Sequence, residues 1–309
     1  MKSNNSLNSF YFQFTLFVDY GPLRYLLFSL CMLIYMTIIS ANVIITVIVY
    51  LGKSLHQPMY IFICCLSFNS VYGTAGFFPR FLMDILSDTH LISRPSCFVQ
   101  LHVIYSYAAC EPLILGIMAY NRFVAICQPL HYRTFMVVRY LVIFAVLYPA
   151  FAVGVCVYLT VRLPLCGYKV HRLFCSVVHL SCVDTTVNRI AGSVFTTTTT
   201  FLPLFFVLYT YLQILLVCRR SSSEFRGKAL QTCLPHIVTY VIFFFSTFCE
   251  LLLSRFKADE VSPIVIVVLS LEFVIIPPIS NPLVYGLNLP QIRGVFFRYF
   301  KTQKMVPAA

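Results

Sequence analysis

Seven long apolar stretches separated by short polar breaks dominate this chain: residues 23–51, 58–86, 97–126, 137–160, 189–218, 228–253 and 261–287. A bilayer core about 30 Å thick is crossed by about 20 helical residues, and every stretch exceeds that. In hydrocarbon each backbone N–H and C=O must be satisfied inside the protein, which favours helices for runs of this length. The reading is an all-α membrane protein, a bundle of seven transmembrane helices. Three regions follow from it: an outer N-terminal segment 1–22, a membrane domain 23–287 and an inner tail 288–309. Within the tail, residues 290–301 interleave Phe296, Phe297, Tyr299 and Phe300 with Arg293, Arg298 and Lys301. That is the pattern of an amphipathic helix lying on the membrane surface.

Composition excludes the main alternatives. Hydrophobic residues make up 60% of the 309 and charged residues 10%, with 30 Phe, 20 Tyr and a mean hydropathy of +0.86. A water-facing surface cannot carry that much apolar area, so a soluble enzyme or a disordered protein is a poor reading. A formal charge of +12 would suit nucleic acid, but the Lys and Arg sit in short segments between the apolar runs. Lipid headgroups meet them there, so membrane lipid is an expected partner and nucleic acid is not. Residues 1–20 lack the apolar core and small-residue cleavage site of a removable signal, so 23–51 reads as a retained span. The sequence shows no metal-ligand motif, phosphate loop or nucleophile elbow, so neither an enzyme nor a cofactor is expected.

Orientation rests on two signals. With the amino end outside, twelve Lys and Arg fall on the inner side and ten on the outer, a weak bias. Of 13 cysteines, four lie on the proposed outer face: Cys97, Cys166, Cys175 and Cys182. An even set on the oxidising side suits two disulfides, with three pairings open, against the alternative of four free thiols. Asn4-Asn5-Ser6 is a glycosylation sequon with Asn4 as acceptor, consistent with the same orientation.

Four strings go beyond generic membrane helices. They are Leu55-His56-Gln57-Pro58-Met59-Tyr60 and Met118-Ala119-Tyr120-Asn121-Arg122-Phe123-Val124-Ala125-Ile126-Cys127, the latter followed by Pro129-Leu130. The other two are Lys228-Ala229-Leu230-Gln231-Thr232-Cys233-Leu234-Pro235-His236 and Pro278-Ile279-Ser280-Asn281-Pro282-Leu283-Val284-Tyr285-Gly286. In this order and on these spans, the chain resembles an odorant receptor of the rhodopsin-like G-protein-coupled class, with wording like the fish-type branch. The resemblance covers nearly the whole chain. It implies a receptor that binds a small odorant in the outer half of the bundle. From its inner face such a receptor activates a heterotrimeric G protein of the stimulatory type, raising cAMP. It also implies disulfides Cys97–Cys175 and Cys166–Cys182. Asn121, Arg122, His236, Asn281, Pro282 and Tyr285 are then the coupling and switch residues. The sequence departs from the family at three places. Asn121 stands where Asp is usual, Ser70 (with Asn69 beside it) replaces a mid-membrane Asp, and Ala41 precedes Asn42 in place of Gly. The first two departures remove charges that would restrain Arg122 or bind sodium.

The residues themselves suggest chemistry at three depths. Glu111 lies about 16 Å outward of Arg122 on the same helix. A carboxylate there costs about 2.5 kcal/mol or more unless it is paired, protonated or hydrated. Ser70, Asn42 and Asn281 fall at similar depth, so two readings stay open. One is a sodium site at Glu111, Ser70 and Asn281; the other is a neutral Glu111 in a hydrogen-bond network. Pro278 and Pro282 interrupt the ladder of the seventh helix and make it adjustable. For the ligand, Tyr105, Ala108 and Ala109 share a helix face and leave room for a small guest. Thr198 and Thr199 offer hydroxyls, and Phe244, Phe245 and Phe248 an aromatic wall. This mix suits a small, largely apolar molecule with one or two polar groups. His102, Glu250 and Glu272 either select a charged ligand or face headgroups and neighbouring helices. Residues 162–188 form a candidate lid, and Arg219, Arg220, Arg226 and Lys228 a basic inner rim. A channel or transporter using Glu111 and the broken seventh helix is the alternative class.

Overall fold

The structure, a computed structural model, describes residues 10–17, 21–55, 57–128, 135–254, 256 and 261–303. Its long helices are α1 (Leu23–Leu51), α2 (Pro58–Leu86), α3 (Arg94–Cys127), α4 (Phe135–Val161), α5 (Thr186–Arg219), α6 (Ser223–Leu253) and α7 (Pro263–Asn288). A shorter α8 (Pro290–Gln303) follows. All seven long helices are long and apolar enough to cross a membrane. Four of them, α3 to α6, begin earlier than the apolar runs suggest, and serines cap two of these in polar sequence. Ser93 Oγ accepts from Ser96 N–H at 3.3 Å, and Ser222 Oγ accepts from Phe225 N–H at 3.3 Å.

Helix α3 is the axis of the bundle. In its most apolar window 67% of residues are buried, against 22% for α1 and 17% for α4. It packs on α2, α4, α5 and α6. The approach of α2 to α3 needs a glycine: a Cβ on Gly73 would overlap the Tyr107 ring. Small residues serve this purpose where helices meet in lipid. The periphery is apolar too, with Leu26, Leu30, Leu33, Phe151, Leu208 and Leu212 all exposed. Only a hydrocarbon solvent suits such a surface.

Helix α5 is not uniform: a π-turn, Thr197–Phe201, joins two α-helical parts. Thr198 and Thr199 hydroxyls donate to Val194 O and Phe195 O at 3.0 and 2.8 Å, satisfying carbonyls in that segment. Helix α7 carries Pro277, Pro278 and Pro282 in its interior. In α8, Ile292 is buried and Val295 and Phe296 lean on the core, while Arg293, Phe297 and Arg298 face outward. The surface-helix pattern therefore holds over those residues; the side chains of Tyr299, Phe300 and Lys301 lie outside the described set.

The helical bundle carries one addition. Strands β1 (Tyr11–Phe14), β2 (Leu91–Ser93) and β3 (Lys169–Val170) form a small sheet in the order β2-β1-β3 at the end of the bundle where α1 and α3 begin. β1 runs antiparallel to β2, with Phe12 opposite Ile92, and parallel to β3, with Phe14 opposite Val170. The Tyr-Phe-Gln-Phe alternation puts Phe12 and Phe14 on one face. They are 0% and 1% exposed and pack with Ile92, Val170, Cys97 and Cys175. Two disulfides tie the same region: Cys97–Cys175 and Cys166–Cys182, with Cα atoms 5.4 and 5.6 Å apart. Asn4 and Pro129-Leu130 lie outside the described residues.

Candidate functional site

Beneath this cap lies a cavity of about 260 Å³ between α3, α4, α5, α6 and α7. Phe174, Ser176, Val177 and Val178, from the loop that Cys175 pins to α3, form its ceiling. Gln100 Oε1 on α3 accepts the Cys175 backbone N–H at 3.1 Å, a second tether for that loop. Tyr105, Ala108, Ala109 and Thr199 line the cavity. Thr198, Phe244, Phe245 and Phe248 do not. The Thr198 hydroxyl accepts from Tyr148 OH at 2.7 Å, toward α4. Phe245 is 61% exposed, Phe248 is exposed as well, and Phe244 stacks on Phe248 at a centroid distance of 6.0 Å. The aromatic wall comes instead from Phe174, Phe195 and Phe273, one each from the loop, α5 and α7.

Polar groups collect at the α6 side of the cavity. Glu250 lines it, accepting from Ser270 Oγ at 3.2 Å and lying 3.7 Å from the Arg172 guanidinium of the loop. Arg172 also donates to Leu253 O, so the loop is joined to the C-terminal end of α6 twice. One turn inward on the cavity wall, Thr247 Oγ1 is buried without a hydrogen-bond partner among the described residues. His102 faces away, its Nε2 lying 3.2 Å from Ala150 O on α4. Glu272 also points elsewhere and accepts from Ser246 Oγ at 2.5 Å.

Deeper in the bundle, Glu111 is 0% exposed and its two oxygens are both engaged. Asn281 Nδ2 on α7 donates to Oε1 and Asn69 Nδ2 on α2 to Oε2, each at 2.6 Å. Asn281 Nδ2 also reaches Ser70 Oγ at 3.3 Å, and Asn69 Nδ2 reaches Tyr107 O at 3.1 Å. Three helices are thus tied through one carboxyl. Asn69 is the partner that the sequence left beside the cluster. Asn42 stands apart, its amide donating to Ile38 O and Pro278 O at 2.9 Å. By donor type the carboxyl, the Ser70 hydroxyl and the Asn281 amide oxygen suit a sodium ion. Asn281 turns N–H toward the first two here, and its Oδ1 is buried without a hydrogen-bond partner among the described residues. The amide would have to turn over for all three oxygens to face one ion.

Toward the opposite end of the bundle from the sheet, Tyr285 OH lies 3.2 Å from His236 Nδ1, joining α7 to α6, with both residues buried. Arg122 is half-buried beside Asn121 and contacts Met59 Sδ of α2. It is close enough to Tyr60, Tyr211, His236 and Tyr285 to act on each electrostatically. Pro282 follows Asn281 directly, between the Glu111 layer and Tyr285, and α7 runs through it without the interruption that its prolines suggested. Arg219, Arg220 and Arg226 are exposed around the α5–α6 connection.

Comparison with known proteins places these features. Residues 30–303 match the family model described as olfactory receptor. The chain belongs to the olfactory receptor family. Olfactory receptor 6K3 of Homo sapiens is 31% identical over 321 aligned residues, covering 99% of this chain and 94% of that protein. Olfactory receptor 10A3 of Homo sapiens is 30% identical over 293, covering 92% of both chains. Among solved structures, squid rhodopsin superposes with a TM-score of 0.73 at 15% identity, over 94% of this chain and 90% of that one. The rhodopsin likeness shows the fold alone, a seven-helix bundle of the rhodopsin kind. Family membership makes this olfactory receptor a multi-pass plasma-membrane signalling protein and not an enzyme.

Proposed function

We propose that this olfactory receptor binds a small, largely apolar odorant in the cavity beneath the disulfide-tied loop. From its inner face it activates a heterotrimeric G protein of the stimulatory type, raising cAMP. The observation that carries the reading is the connection from one face to the other along α6. Glu250 and Thr247 stand at the cavity, and His236, paired with Tyr285 beside Arg122, stands at the inner end. A guest that changes the packing of α6 at its outer half changes the surroundings of Arg122. Two-state packing of this kind is how an outer ligand biases an inner surface. Anionic lipid and an acidic G-protein surface are both complementary to the exposed arginines of the α5–α6 connection.

The amino end is outside in this reading, with Asn4 as a glycan acceptor. Support comes from β1, which shares its sheet with the loop that holds both disulfides. Disulfides persist on the oxidising side of a membrane, and the strand beside them lies on that side too. Assignment to the fish-type branch rests on the wording of the motifs alone.

Expression with a stimulatory G protein, followed by volatile and water-soluble odorant panels on surface-verified protein, tests the reading. Ligand-dependent cAMP is the expected result; current or uptake without G protein would replace it with a channel. Because Asn121 carries no charge to restrain Arg122, ligand-free cAMP should be elevated and Asn121→Asp should lower it. Equal or higher basal cAMP in that variant overturns this part.

A further inference from the structure

The cavity is roofed by the loop and borders the surface along the flank between α4 and α5. Its ceiling includes Phe174 and Val177, both buried, and over the outer end of α3 sits the sheet with Phe12, Phe14 and Val170. The lining residues Cys97 pins through Cys175 cannot swing aside without breaking a covalent tie. On the flank, by contrast, several residues line the cavity and also reach the surface. Ser193 and Arg189 of α5 are exposed and Gly192 and Cys156 half-buried, yet all four border the interior.

These residues lie in a framed gap between α4 and α5. Asn188 Nδ2 donates to Thr160 Oγ1 at 3.4 Å across the outer end of the gap. Tyr148 OH donates to Thr198 Oγ1 at 2.7 Å across its inner end. Between the two struts run about 18 Å of α4 and about 15 Å of α5, at 1.5 Å per residue. In that interval Val153 and Cys156 face Gly192, Ser193 and Thr196. Gly192 supplies no side chain, and a Cβ built on it meets nothing within 4 Å. The outward neighbours are lipid-facing: Phe151, Val155, Val187 and Val194 are all exposed. Helix α5 is about 51 Å long against a hydrocarbon core of about 30 Å, so Gly192, about 9 Å from its outer end, lies near the outer boundary of the acyl chains.

We infer that small apolar ligands enter the cavity sideways from the outer leaflet, through the window between α4 and α5 framed by Thr160–Asn188 and Tyr148–Thr198. The inference rests on reading the cavity as the odorant site, and it deepens that reading by naming the ligand class as lipid-partitioning molecules. Such molecules are concentrated in the leaflet beside the exposed Phe151, Val155, Val187 and Val194. A strongly hydrated or permanently charged molecule does not partition into that leaflet and must cross the tied cap instead. Glu250 and Thr247, across the cavity from the window, then meet the polar end of the guest after its apolar body has entered.

Cys156 is a built-in reporter, because its thiol borders the cavity at the window. Full-length receptor in intact cells is treated with a membrane-partitioning N-alkyl maleimide or with a charged, impermeant methanethiosulfonate. Labelling of Cys156 is then read by mass spectrometry of its peptide, with Cys156→Ala as the blank. The expected result is rapid labelling by the alkyl maleimide and slow labelling by the charged reagent. Gly192→Phe, which fills the window, should slow the alkyl reagent several-fold. Asn188→Leu, which removes the outer strut, should leave it equal or faster. If Gly192→Phe fails to reach the surface, Gly192→Val serves the same purpose with less bulk. Equal rates for the two reagents, no effect of filling Gly192, or a Cys156 unreactive to both would overturn the window. Nucleotide exchange on the G protein is measured on the same preparations. Labelling reports passage and exchange reports signalling, so failure of the window and failure of the receptor reading are told apart.

Discussion

Glu111 on α3 and Asn281 on α7, 170 residues apart in sequence, meet in the middle of the bundle, where Asn281 Nδ2 donates to Glu111 Oε1 at 2.6 Å. Asn69 makes the matching bond to the other oxygen, so α2, α3 and α7 share one fully enclosed carboxyl.

Glu111→Gln turns an amide N–H₂ toward one of these two donors and removes an acceptor. A buried hydrogen-bonding group left unmatched costs about 1–3 kcal/mol, so the variant should melt several degrees lower in detergent. Asn281→Leu should lose a similar amount. The same melts run in sodium chloride and in choline chloride report on an ion. A sodium-dependent gain in wild type that Glu111→Gln loses places the cation at this carboxyl; identical curves leave the two amides as its whole environment.

Tyr285→Phe keeps the buried ring and removes the hydroxyl that lies 3.2 Å from His236. A neutral hydrogen bond contributes about 1 kcal/mol, which is about fivefold in an equilibrium constant. If the bond belongs to the resting packing of α6 on α7, ligand-free nucleotide exchange should rise by up to that factor. Unchanged exchange at equal surface expression would remove this pair from the switch.

Substitutions on the cavity wall and on the lipid face should separate cleanly. Ala108→Phe puts a ring into the cavity space, and agonist potency should fall by orders of magnitude while thermal stability changes little. Phe245→Ala removes a side chain that points to lipid, and potency should stay near wild type. Dose–response curves with an agonist found in the panel screen decide between them. A loss at Phe245 as large as that at Ala108 would mean that α6 is rotated from the position described.

The outer start of α5 carries a pH dependence of known sign. Hydrogen bonds from the Thr186 hydroxyl and backbone N–H, at 2.7 and 3.0 Å, hold the exposed Asp184 carboxyl below its ordinary value of 3.8. A carboxyl with a depressed folded pKa stabilises fully above its unfolded value and loses that contribution as pH falls through the folded one. The first turn of α5 should therefore be unaffected between neutral pH and about 4 and fray below it. Asp184→Asn should exchange the amides of that turn faster at neutral pH and show little further change on acidification. Equal exchange in both proteins would rule the contact unimportant.

The seven spans were legible because length and apolarity alone dictate a crossing helix. The starts of α3 to α6, two of them capped by Ser93 and Ser222, were not, because polar sequence precedes the apolar run. The polar core was legible for a related reason: Glu111, Ser70 and Asn281 are costly in hydrocarbon unless they find each other. Rotation of α6 was not legible. A soluble helix declares its inner face by contrast with a charged outer one, whereas here Phe243, Phe244 and Phe245 are equally apolar toward lipid and protein. The better signal was polar, since Thr247 and Glu250 mark the face that does turn inward. The outer sheet was missed because β2 and β3 are three and two residues long and depend on partners far away in the chain. Only the Phe12–Phe14 alternation hinted at a strand.

That sheet also sets an order of assembly. Its middle strand precedes the first crossing, yet one of its two partners, Lys169–Val170, emerges only after the fourth. Domains generally form from the amino end as the chain is made. Tyr11–Phe14 therefore waits for that partner, with Phe12 and Phe14 uncovered on that side, until four crossings have been made. An amino-terminal fusion that engages those phenylalanines early would compete with closure of the cap, and the deficit would surface in export from the endoplasmic reticulum before it surfaced in signalling.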